Sequence, residues 1–142
     1  MTQATDPILL LTTGGTIDKL YFDALSEYKI GESIITRILE TARVTQPVEI
    51  REVLRKDSLD LSDADRALIA DAVADAASRR VVITHGTDTM THTAQALGDV
   101  AGKTVVLVGA LAPARFAESD ATFNLGMAFA TAQVAPPGVY IT

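Results

Sequence analysis

Two short stretches of this chain crowd hydroxyls, glycines and a carboxylate together: Thr12-Thr13-Gly14-Gly15-Thr16-Ile17-Asp18 and Thr84-His85-Gly86-Thr87-Asp88-Thr89. A threonine hydroxyl is a poor nucleophile at neutral pH and needs a neighbouring base or an oriented proton relay. Relays are available, because Tyr21 and Tyr28 follow the first stretch and Asp88 stands beside Thr87. Backbone N–H groups around Gly15, Gly86 and the helix start that follows could hold an anion or a developing oxyanion. A third polar stretch contains Asp57 and Ser58. Together these groups suit acyl transfer on a small polar substrate.

Each stretch also has a plainer reading. Thr-Thr-Gly-Gly-Thr could be a tight turn in which glycine supplies unusual dihedrals. It lacks the Gly-Lys-Ser/Thr of a phosphate loop and the three-glycine spacing of a dinucleotide site. Thr87-Asp88-Thr89 could simply cap the next helix. His85 and His92 are seven apart and do not share a helix face as a metal pair would, so His85 reads as a packed turn residue and His92 as a surface one. Asp60, Asp63 and Asp65 are explained by the macrodipole of a helix start. Neither a metal site nor a cofactor is expected.

The elements that must position these stretches follow from apolar periodicity. Ile8–Leu11 is a continuous aliphatic run, as in a strand buried on both faces. Residues 31–43 carry Ile34, Ile35, Ile38, Leu39 and Ala42 at helical spacing behind Ser33, a possible cap. Val48–Leu54 reads as a strand, and Ser62 with Asp65 as a weaker capping box opening a helix. The stripe predicted for that helix is Leu68, Ile69, Ala72, Val73 and Ala76. Val81–Thr84 and Thr104–Val108 are further strands, separated by a helix over about 90–100. Ser119 or Asp120 could cap a helix over about 121–133, and Val139–Thr142 starts a fifth strand. Strict β-α alternation predicts an open parallel α/β sheet of flavodoxin-like, three-layer α/β/α form within one domain, residues 1–142. Strand order 2-1-3-4-5 would put the switch point between the first and third strands, where both threonine stretches emerge.

Composition narrows the partners. The 142 residues are 48% apolar and 21% charged, which is globular. A net charge of −6 with 5% aromatics argues against nucleic acid and anionic membranes, both of which need basic patches. There is no cysteine, which excludes disulfides and thiolate chemistry. No basic leader or membrane-length apolar run is present, so a soluble, cytoplasmic domain is expected.

Thr13-Gly14-Gly15-Thr16-Ile17 after one aliphatic strand and His85-Gly86-Thr87-Asp88-Thr89-Met90 after another resemble the bacterial-type L-asparaginase family. Ser58-Leu59-Asp60-Leu61, Val106-Leu107-Val108-Gly109-Ala110-Leu111-Ala112-Pro113 and Phe123-Asn124-Leu125 extend the resemblance. It covers nearly all of this chain but only the N-terminal domain of the usual two-domain enzyme, so the chain looks like a single-domain, short-chain member. Two positions depart from the family's pattern. Leu59 replaces a residue that is often polar, and Asp18 stands where a small residue is usual.

The resemblance implies hydrolysis of L-asparagine to L-aspartate and ammonia, with room for minor glutaminase activity. It puts Thr16 at the nucleophile position, and Thr87 and Asp88 at the second threonine and its acidic partner. Tyr21 or Tyr28 would be the loop tyrosine. Ser58, beside Asp57, matches the residue gripping the substrate α-carboxylate, and Asp88 the one taking the α-amino group. Ala110 matches a backbone contact near the amide, and Gly15 and Gly86 complete the substrate-binding set. A homo-oligomer is implied as well. The family pairs its aspartate with a lysine after the fifth strand, and none of Lys19, Lys29, Lys56 and Lys103 matches, so that lysine is expected beyond Thr142. The alternative is a non-catalytic amino-acid-binding domain of the same fold, and a nucleotide-binding module is the weakest reading.

Overall fold

The structure, a computed structural model, describes residues 6–18 and 34–142. Five parallel strands form one sheet: β1 (Ile8–Thr12), β2 (Val48–Glu52), β3 (Arg80–Thr84), β4 (Thr104–Val108) and β5 (Gly138–Ile141). Their order is β2-β1-β3-β4-β5, as the alternation predicts. Leu10 lies opposite both Ile50 and Val82, and Val82 opposite Val106, so the aliphatic runs align in register.

Side chains alternate between the faces of a strand, so each run feeds two cores. Ile8, Leu10, Val82, Val106 and Val108 pack with Ile35 of α1 (Ile34–Thr41) and with Leu125, Ala128 and Phe129 of α4 (Ala121–Val134). Leu9, Leu11, Val81, Ile83, Val105 and Leu107 pack with Ile69 and Val73 of α2 (Asp63–Asp75) and with Met90 and Leu97 of α3 (Met90–Leu97). This is the three-layer α/β/α arrangement. Burial on both faces explains why β1, β3 and β4 read as unbroken aliphatic runs.

Several boundaries differ from the periodicity. Ser33 lies outside the described residues, and α1 stops at Thr41, leaving Ala42 exposed. Arg43 takes a left-handed φ of +53°, and Val44 N–H closes back on Leu39 O. β2 ends at Glu52, and the N–H groups of Val53 and Leu54 both reach Thr12 O. On α2 the capping box forms in full, with Asp65 N–H donating to Ser62 Oγ at 3.1 Å and Ser62 N–H to Asp65 Oδ2 at 2.9 Å. Leu68, however, is 53% exposed, and the buried stripe of that helix is Asp65, Ile69 and Val73. α3 ends at Leu97 because Gly98 adopts φ +59°, although Val100 still packs beneath it. Among the described residues no helix is long and apolar enough to cross a membrane.

Candidate active site

The ends of β1, β2 and β3 meet backbone to backbone at glycines. Thr13, buried at the end of β1, donates its hydroxyl to Thr84 O at 2.6 Å, and its carbonyl accepts Lys56 N–H at 3.0 Å. Gly14 and Gly15 then take φ of +97° and +89°, values that residues with a Cβ rarely adopt. Space is equally restrictive. A Cβ on Gly14 would stand 2.7 Å from the Lys56 backbone, and one on Gly15 2.5 Å from Gly86 N. Thr16 follows at once, half-buried, and opens a single 3-10 turn, Thr16–Asp18. The fully buried Ile17 anchors that turn, and its carbonyl accepts Ala114 N–H at 3.1 Å.

The loop after β2 presents an exposed Asp57 and then Ser58, only 3% exposed, at the start of a turn, Ser58–Asp60. The Ser58 hydroxyl is buried and has no hydrogen-bond partner among the described residues. Gly86 presses against it, since a Cβ there would lie 2.7 Å from both Ser58 Cβ and Oγ. Thr87 and Asp88, which follow, are exposed. Thr89 stands at the N-cap of α3, but its hydroxyl donates to Ser58 O at 2.8 Å and accepts none of the helix's first N–H groups, which corrects the simple capping reading. His85 is fully buried and His92 exposed, matching their readings as a packed turn residue and a surface one.

The loop after β4 closes the group from the other side. Gly109 abuts His85 O and Thr87 Cγ2, and Ala110 is buried. Asp120 does not cap α4 with its side chain; its carboxylate accepts N–H bonds from Leu111 and Ala112. Those N–H groups, Leu111 first, hold its carboxyl below the usual carboxylate range. Asn124 donates to both Gly109 O and Asp120 Oδ2. Sequence reasoning assigned Asp120 only a capping role. The spacing of Asp120 and Asn124, one helical turn apart beside a Gly-Ala loop, was the available signal.

Gly15, Thr16, Ser58, Gly86, Thr87 and Ala110 thus stand on neighbouring loops at the carboxyl edge of the sheet. Tyr21 and Tyr28 lie outside the described residues, as do Lys19 and Lys29. Lys56 is engaged elsewhere, 2.9 Å from Asp65, whose pKa is lowered to about 2 by the Ser62 backbone N–H and by this lysine. Lys103 caps the last carbonyls of α2, at the opposite end of the sheet. Among the described residues no group of His, Cys, Asp and Glu could hold a metal.

The sequence pattern of a family described as "Asparaginase, N-terminal" matches residues 7–142. The chain belongs to the asparaginase family. Within it, the L-asparaginase of Thermococcus kodakarensis is 35% identical over 94% of this chain and 43% of its own length. A glutamyl-tRNA(Gln) amidotransferase component from Pyrobaculum aerophilum is 34% identical over 92% of this chain and 33% of its own. The solved structure of the Thermococcus kodakarensis L-asparaginase superposes with a TM-score of 0.81 at 32% identity, covering 96% of this chain and 43% of that one. The chain therefore spans less than half the length of these relatives, and its fold is that of asparaginase N-terminal domains.

Proposed function

We propose that this chain carries the catalytic unit of an amidohydrolase that converts L-asparagine to L-aspartate and ammonia. The observation that carries this reading is the buried hydroxyl of Ser58, without a partner among the described residues, where the Gly14-Gly15 and Gly86 turns meet. A polar atom left open there by the described residues suits a group that binds a ligand. In this reading Ser58, with Asp57 beside it, takes the substrate α-carboxylate and Asp88 the α-amino group. The Gly15, Gly86 and Ala110 backbones line the side-chain amide.

Thr16 Oγ attacks the amide carbon, and its proton passes through Tyr21 or Tyr28 toward the leaving nitrogen. Ammonia departs and leaves an ester on Thr16. Water near Thr87 then adds to the ester carbon, releasing aspartate and restoring the hydroxyl. Thr16→Ala should lower kcat by orders of magnitude and leave the melting temperature near that of the parent. A variant with near-native kcat would move the nucleophile's role to Thr87 or to water.

We further propose a cytoplasmic homo-oligomer. It is supported by α4, which has no charged residue yet exposes Phe123, Met127 and Val134. Of the alanines on this helix, Ala128 and Ala132 pack on the sheet, whereas Ala130 is exposed. Light scattering that found a fully active monomer would overturn the oligomer. A second reading, favoured by the likeness to an amidotransferase component, keeps the same threonine chemistry but delivers the ammonia to an activated acyl group held by another protein, whose leaving group it displaces. Ammonia release that depends on such an acyl donor would select it.

A further inference from the structure

His85 is fully buried at the foot of the Gly86-Thr87 turn, and the mechanism above does not use it. Its Nδ1 lies 2.6 Å from Gly86 O, and its Nε2 lies 2.7 Å from Thr93 Oγ1. Thr93, also fully buried, stands 3.3 Å from Arg66 Nε. A carbonyl can only accept and a guanidinium can only donate, so both ends of this chain are fixed, and a neutral ring fixes the middle. Arg66 Nε–H donates to Thr93 Oγ1, Thr93 O–H to His85 Nε2, and His85 Nδ1–H to Gly86 O. Burial beside a guanidinium disfavours the imidazolium, so the ring is neutral with its proton on Nδ1. Burial holds the imidazole pKa below its ordinary value against the opposing Gly86 bond, and Arg66 acts in the same direction as burial. Arg66 is itself held by Leu61 O at 3.1 Å, so the chain also ties the Ser58 turn to the Gly86 turn.

We propose that Arg66, Thr93 and His85 are positioning residues that fix the peptide plane between Gly86 and Thr87 and thereby aim the Thr87 N–H at the substrate. The described residues contain no cis peptide bond, and in a trans peptide the C=O and N–H point in opposite directions. His85 draws the Gly86 carbonyl inward, so the Thr87 N–H is directed out of the carboxyl edge, where an anionic or oxyanionic oxygen would sit. Gly86 has no side chain to set this plane, and the buried ring holds its carbonyl by a direct hydrogen bond. The inference rests on the amide-hydrolysis reading of this site.

The test uses the full-length protein with 15N-labelled histidine, assigned with His92→Gln, alongside steady-state kinetics on L-asparagine. The parent should show His85 protonated at Nδ1. Thr93→Val, which keeps the shape but not the hydroxyl, should mix the tautomers and lower kcat about tenfold or more, with KM within about twofold. Thr93→Ser should restore both. An Nε2-protonated His85 in the parent, or a folded Thr93→Val with native kcat, would overturn the proposal. If the parent releases no ammonia, the functional reading fails by itself. The relay is then judged on the tautomer, with a lowered Nδ1–H share in Thr93→Val supporting it and an unchanged share, or Nε2–H in the parent, refuting it.

Discussion

Ser58 separates a binding role from a structural one at the scale of a single residue. A buried hydroxyl left without a partner costs a fold about 1–3 kcal/mol, so a purely structural serine here would be disfavoured. Ser58→Ala should therefore melt no lower than the parent while raising KM for asparagine about tenfold. An unchanged KM with lowered stability would make Ser58 a packing residue. The placement of Thr16, Ser58 and Thr87 on neighbouring loops was legible in the sequence, because strict alternation brings those loops to the carboxyl edge of the sheet. Asp120 and the His85–Thr93–Arg66 chain were not. Their meaning lies in contacts between separate elements and loops, which periodicity along one element does not encode.

Element order and strand order were legible for a different reason. Burial on both faces writes β1, β3 and β4 into the sequence as aliphatic runs, and strict alternation leaves few topologies. The outer face of α2 was misjudged because Leu68 and Ile69 are neighbours on one turn, and the sheet accepts only Ile69. Helix ends were missed where left-handed residues such as Arg43 and Gly98 terminate them. The loop after β4 depends on the start of α4, because Asp120 gathers the Leu111 and Ala112 N–H groups. Asp120→Ala should cost about 1 kcal/mol of stability, the cost of lost exposed hydrogen bonds, and a larger share of activity by loosening the Ala110 backbone. Urea melts and kcat measured on the same preparation check this. Native kcat would detach the loop from the chemistry.

The whole molecule should respond to acid in two stages. His85 has a folded pKa below its ordinary 6.5, so the unfolded chain binds the proton first and stability falls as pH drops below about 6.5. Asp65, lowered from 3.8 to about 2, contributes stability above 3.8 that is lost as pH falls toward 2. Urea midpoints measured from about pH 8 down to pH 3 should show both limbs, and Asp65→Asn should flatten only the lower one. At this scale the central claim is that the meeting of three loops hydrolyses a small amide. Ammonia release by the full-length protein from L-asparagine, with L-glutamine and close amides in parallel, tests it most directly. Turnover on asparagine should be at least several-fold faster than on glutamine. L-aspartate binding detected by calorimetry without any ammonia release would contradict the claim and leave an amino-acid-binding domain.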